Sequence, residues 1–165
     1  MVSHIPLGDQ DDIIDTCSKP ANTLLFGGHT GLIMASKFPI ENKMSMQYDS
    51  NLQSTGVLYG EINGAQVACT HLSGDRNVVP YGGNHGSYDN QNLFEARMVL
   101  GLMKSFEDGR PQIILGDFNS GPAVPESGIE AVRPGTYERF LNKGWRSANA
   151  LSDNPFCTWC PSEND

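Results

Sequence analysis

Asn63-Gly64 stands between two runs of apolar and β-branched residues, Gly56-Val57-Leu58-Tyr59-Gly60-Glu61-Ile62 and Ala65-Gln66-Val67-Ala68-Cys69-Thr70-His71. Both central positions of a type I′ turn need φ > 0, which Asn and Gly tolerate better than other residues, so this dipeptide predicts a β-hairpin over residues 55–71. A hairpin cannot bury its apolar face alone, so the rest of the chain must supply a covering layer.

That layer is legible downstream. Residues 73–90 read as a long polar loop rich in Gly and Asn, carrying Tyr81, His85 and Tyr88. From Asn92 the apolar period becomes helical, through Leu93, Ala96, Leu100, Met103 and Phe106, and predicts a helix near 92–108. Asn92 with Glu95 three residues on can cap its start, and Gly109 can end it. The run Gln112-Ile113-Ile114-Leu115-Gly116-Asp117 reads as a buried strand at 112–117. A second, shorter helix fits residues 136–143, ended by Gly144, and Trp145 begins a last extended stretch. Upstream, Thr23-Leu24-Leu25-Phe26 and residues 31–38 read as strands, the latter ended by Pro39. Residues 1–22 read as an acidic loop with one helical turn. The order of elements gives an α/β layered domain, and 165 residues allow one domain rather than two.

Lys and Arg number 11 against 19 Asp and Glu, a net charge of −8, which disfavours a protein that grips nucleic acid through phosphate charge alone. It leaves open a phosphate substrate approached through a cation. No stretch reaches the roughly 20 apolar residues of a membrane span, and the first residues have neither a basic n-region nor an apolar h-region, so no signal peptide is expected there. Of four cysteines, Cys69 lies in an apolar run and reads as buried and free. Cys157-Thr158-Trp159-Cys160 is flanked by Pro155 and Pro161 and reads as loop, as a local disulfide or as inert thiols rather than a zinc half-site.

Three places could carry chemistry. His71 closes the second hairpin strand. Asp117 and Asn119 follow the strand at 112–117, where Gly116 lets the backbone turn closely, and in extended geometry residues two apart share a side. One acid and one amide would then face one spot. The same Asp, Asn, Ser, Gly and Pro more often make an ordinary turn, and a lone histidine such as His71 is more often a hydrogen-bonded strand-end residue than a catalyst. His85 reads as solvent-exposed in its glycine-rich loop. His4 and His29 carry no pattern.

Gly31-Leu32-Ile33-Met34-Ala35-Ser36-Lys37-Phe38-Pro39-Ile40, Thr70-His71-Leu72 and Gly116-Asp117-Phe118-Asn119 occur in the order of three motifs of the endonuclease/exonuclease/phosphatase superfamily: G-[LI]-x-[IL]-x-S-[RK]-[FYW]-P-I, T-H-L and G-D-[FL]-N. The chain resembles that family from about residue 27 to residue 164, with features similar to a secreted branch. The resemblance implies the deoxyribonuclease I-like four-layer α/β/β/α sandwich and hydrolysis of a phosphodiester, of nucleic acid or of a phospholipid head group. It implies one or two divalent cations, Mg²⁺ or else Mn²⁺ or Ca²⁺; no protein partner is implied. It implies His71, Asp117 and Asn119 as catalytic residues. Within that set, Asp117 and Asn119 are metal-binding, and Asn119 and Tyr81 substrate-binding. The family's metal-binding Glu and closing Asp-His have no counterpart here, so the chain is expected to be an incomplete single domain lacking both ends and inactive by itself. The alternatives are a catalytically dead binding module on the same fold, or a sphingomyelinase-like or phosphoinositide phosphatase-like enzyme.

Overall fold

The computed structural model describes residues 13–15, 32–48, 56–74, 80–148 and 151. The chain separates into two compact units, Met1–Phe118 and Asn119–Asp165.

In the first unit, the hairpin forms as predicted. β4 (Gly56–Ile62) and β5 (Ala65–His71) pair antiparallel around Asn63 at φ 49° and Gly64 at φ 81°. Two more strands extend them into a sheet of order β3-β4-β5-β6, with β3 (Ile40–Gln47) antiparallel to β4 and β6 (Gln112–Asp117) parallel to β5. A separate two-stranded sheet pairs β1 (Ile13–Asp15) with β2 (Ile33–Ala35). β1 replaces the loop expected there, and β2 is shorter than the strand read over 31–38. The strand expected at 23–26 lies outside the described residues, as does Cys157-Thr158-Trp159-Cys160.

Parallel strands need a long crossover, and α1 (Tyr88–Ser105) provides it between β5 and β6. It begins four residues before the predicted start. Ser87, not Asn92, is the N-cap, its side chain accepting from the Asn90 N–H. Asn92 and Glu95 are buried inside the helix instead. At the far end, Gln66 Nε2 donates to Phe106 O at 2.5 Å and Gln112 Nε2 donates to Met103 O at 2.8 Å. These bonds identify the sheet face that α1 covers. Alternation puts Tyr59, Ala68 and Thr70 on it, all essentially inaccessible. Ala96, Val99 and Met103 are fully buried, and the last two contribute about 1.5–3 kcal/mol each by leaving water.

The opposite face carries Leu58 and Val67, clustered with Met34 and Ile40. Among the described residues it is only partly covered. β6 lies where expected but is not buried: among the described strands it is the sheet's edge, and Ile113 and Leu115 are 43% and 53% exposed. Cys69, on the same face, is a free thiol, half-buried rather than buried.

In the second unit, short antiparallel bridges Gly121–Val132 and Val124–Ile129 precede α2 (Pro134–Leu141). α2 starts two residues before the predicted position, and Gly144 follows it at φ 85°. From Trp145 to Ala148 there is no strand.

Candidate active site

β5 and β6 run parallel and end at one level, so His71 and Asp117 are register partners, both on the face opposite α1. Their side chains meet there, with His71 Nε2 3.7 Å from Asp117 Oδ2 and side-chain exposures of 44% and 63%. A separation of 3.7 Å is an ion-pair distance, too long for a direct hydrogen bond. The arrangement offers an imidazole and a carboxylate, both open to solvent, at the carboxyl ends of parallel strands. Open α/β sheets commonly bind ligands at such ends.

Two features of the sequence fix this meeting. Gly116, beside Thr70 in the ladder, has φ 135°, and a Cβ there would lie 1.7 Å from Thr70 O. Only glycine lets β6 come so close to β5 immediately before Asp117. Thr70 is held in turn: its hydroxyl donates to Gly56 O at 3.0 Å and bonds the Tyr48 hydroxyl at 2.5 Å. Burial raises the Tyr48 phenol well above its ordinary value. After the strands, Leu72 N donates to Asp117 O at 2.9 Å, extending the pairing one step past His71.

Behind this end of the sheet lies a polar network centred on Glu95. The Glu95 carboxylate accepts from Ser73 N at 2.6 Å, Ser73 Oγ at 2.7 Å and Gln91 Nε2 at 2.9 Å. Burial raises its pKa, opposed by these donors and by the charge of His71. Gln91 Oε1 accepts from the Tyr81 hydroxyl at 3.0 Å, and that hydroxyl accepts from His85 N at 2.8 Å. Tyr81 thus joins this network and packs edge-on against Tyr88. The His85 ring is not simply exposed: it is half-buried and stacked on Phe94 at 4.1 Å. The signal in the sequence is the pair Asn92 and Glu95 on the helix's apolar stripe, a pattern that also fits a cap.

Asn119 opens the second unit. The extended run ends at Asp117, and Asn119 adopts φ 47°, so two-residue alternation does not extend to it. Its carbonyl accepts from Arg133 Nη1 at 3.0 Å.

Asp117 and Asn119 are hard oxygen donors, the kind that suits Mg²⁺ held by one or two carboxylates together with water and substrate oxygens. Of the two, Asp117 brings a carboxylate of the type such a cation takes, at the end of β6. Among the described residues, no group of three or more His, Cys, Asp or Glu side chains is arranged to hold a metal ion.

Solved structures share this architecture. The 3'-5' exonuclease NExo from Neisseria meningitidis superposes with a TM-score of 0.61 at 16% identity, covering 90% of this chain and 59% of that one. The fold is deoxyribonuclease I-like. SmcL matches with a TM-score of 0.56 at 18% identity, over 79% of this chain and 44% of its own. A β-hairpin deletion mutant of beta toxin from Staphylococcus aureus matches with a TM-score of 0.50 at 19% identity, over 67% and 39%. The chain therefore spans 39–59% of the length of these structures. No family model and no curated protein matches the sequence. No helix among the described residues is long and apolar enough to cross a membrane.

Proposed function

We propose that this chain carries part of the active site of a metal-dependent phosphodiester hydrolase. The observation that carries the reading is the register pairing of His71 with Asp117 at the open ends of β5 and β6. The deoxyribonuclease I-like fold, shared with a 3'-5' exonuclease, supports it.

In this reading water attacks phosphorus in line and the bond to the leaving oxygen breaks. His71 hydrogen-bonds the phosphate or protonates that oxygen. Asp117 orients the attacking water or the leaving group, and Asn119 binds the phosphate. Tyr81 contributes to substrate binding. Asp117 and Asn119 would hold Mg²⁺, Mn²⁺ or Ca²⁺, which when bound supplies charge compensation for the transition state. With a net charge of −8, the chain needs such compensation to take an anionic substrate. The substrate is a phosphodiester of nucleic acid or of a phospholipid head group, and the location is extracytoplasmic. Activity belongs to a protein that also contains the metal-binding Glu and the closing Asp-His; the 165 residues alone are expected to give no turnover above background.

The test is hydrolysis by the complete gene product with Mg²⁺, using a labelled oligonucleotide and choline-headed phospholipid vesicles as separate substrates. Turnover of either that needs Mg²⁺ and disappears in His71→Ala supports the reading. No turnover of either, or turnover indifferent to His71→Ala, overturns it.

A further inference from the structure

The C-terminal ends of β5 and β6 are fastened from behind by one helix face. Asn92 is fully buried, and its single amide nitrogen donates to Ser73 O at 2.8 Å and to Phe118 O at 3.0 Å. Ser73 lies two residues after His71, and Phe118 one residue after Asp117. One side chain therefore ties together the two backbone exits that follow the candidate catalytic residues. One turn along the helix, Glu95 takes the other side of Ser73, accepting both its N–H and its hydroxyl.

We infer that Asn92 and Glu95 are positioning residues, a polar clamp on α1 that sets the spacing of His71 and Asp117 by holding Ser73 and Phe118.

Burying a carboxylate and an amide on a helix face is costly, and here the cost is offset by hydrogen bonds to backbone groups that all lie at the exits of β5 and β6. The Asn92 amide uses both donor hydrogens on the two strand exits, while its Oδ1 has no hydrogen-bond partner among the described residues. The other end of α1 offers the contrast. Gln66 and Gln112 reach the helix there through its carbonyls, far from His71 and Asp117. The clamp also has a single point of leverage. Leu72, between His71 and Ser73, is fully buried, so Ser73 cannot shift without moving the residue that pairs with Asp117.

The inference rests on the proposed hydrolase reading for its catalytic consequence, but its geometry is measurable without turnover. The experiment compares Asn92→Ala with Val99→Ala, a core truncation on the same helix, in two readouts. The first is amide hydrogen exchange and the His71 imidazole NMR signals of this chain. The expected result for Asn92→Ala is exchange at Leu72 N–H raised about tenfold more than at Ala68 N–H, with shifted His71 ring signals. Val99→Ala is expected to raise both amides alike and leave the ring signals in place. The second readout is kinetics of the complete gene product, where Asn92→Ala is expected to lower kcat about tenfold or more with KM within about twofold. Equal exchange changes along β5 in Asn92→Ala, or unshifted His71 signals, overturn the clamp whether or not the protein is a hydrolase. A protein without phosphodiesterase activity overturns the hydrolase reading and leaves the exchange result to decide the clamp. Should Asn92→Ala not fold, Ser73→Ala removes only the hydroxyl bond to Glu95, and the same two signals decide.

Discussion

His71 and Asp117 are cross-strand partners on parallel strands, their side chains 3.7 Å apart on the sheet face that α1 leaves uncovered. Neither residue owes its place to a nearby turn. Each ends its own strand, and the ladder through Thr70 and Gly116 brings the two ends level. The pair is thus a product of sheet register, and a one-residue slip of β6 would send Asp117 to the other face.

If the two act on one phosphate, their effects are not independent. His71→Ala and Asp117→Asn are each expected to lower kcat of the complete gene product by about 10²–10⁴-fold. The double variant is expected to lie within about tenfold of the worse single variant, because groups that act as a unit are not additive. A double-mutant cycle on kcat checks this, and losses that multiply would separate the two residues functionally.

Gly116→Ala places a methyl group 1.7 Å from a backbone oxygen at φ 135°. Backbone has to move, and the strained conformation alone costs about 1–3 kcal/mol. Thermal unfolding is expected to show a loss of at least that size. The control Gly101→Ala, where a Cβ meets nothing within 4 Å, is expected to be neutral or stabilising.

Much of this was legible in the sequence because local chemistry decided it. Asn63-Gly64 fixed the hairpin, Gly116 announced the close approach before Asp117, and the helical period of 92–106 found α1. What the sequence hid was tertiary. β3 has few apolar residues, and at its bulged end Glu41 faces Glu61 in the ladder. It is held there by pairing with β4, with Arg110 gripping both Glu61 oxygens. Asn92 and Glu95 looked like a cap because a cap and a buried clamp use the same residue types. Ile113 and Leu115 looked buried because apolar content does not reveal which strand ends at a sheet's edge.

Two carboxylates give stability opposite pH dependences. Hydrogen bonds from Arg110 hold Glu61 below its ordinary 4.5. Its contribution is therefore present above pH about 4.5 and lost as pH falls through the depressed value. Burial raises Glu95 above 4.5, so its ionisation costs the native state stability as pH rises from 4.5 to the raised value. Denaturant midpoints measured across the acid range are expected to fall less steeply toward low pH in Arg110→Met than in the unaltered chain. In Glu95→Gln, the loss on the rising side is expected to vanish.

Arg133 sits at φ 44°, uncommon for a residue with a side chain, while its guanidinium donates to Asn119 O. Arg133→Gly relieves the backbone strain and removes the bond, two opposing effects of about 1–2 kcal/mol each. The melting temperature is expected to move little while amide exchange around Asn119 and Ser120 accelerates. A large fall in melting temperature without a local exchange change would show that Arg133 acts elsewhere.

β6 pairs with β5 on one side and, among the described residues, with no strand on the other, while Ile113 and Leu115 are exposed on its face. An edge strand with exposed apolar side chains is a template for association. The 165-residue chain is expected to self-associate with rising concentration and to bind a hydrophobic dye. Leu115→Lys puts a charge on that edge without touching α1 or the Thr70–Gly116 contact, so it is expected to suppress both effects with little change in unfolding midpoint. Light scattering and dye fluorescence over a concentration series measure the difference. A monomeric, dye-silent parent chain would show that this edge does not drive association.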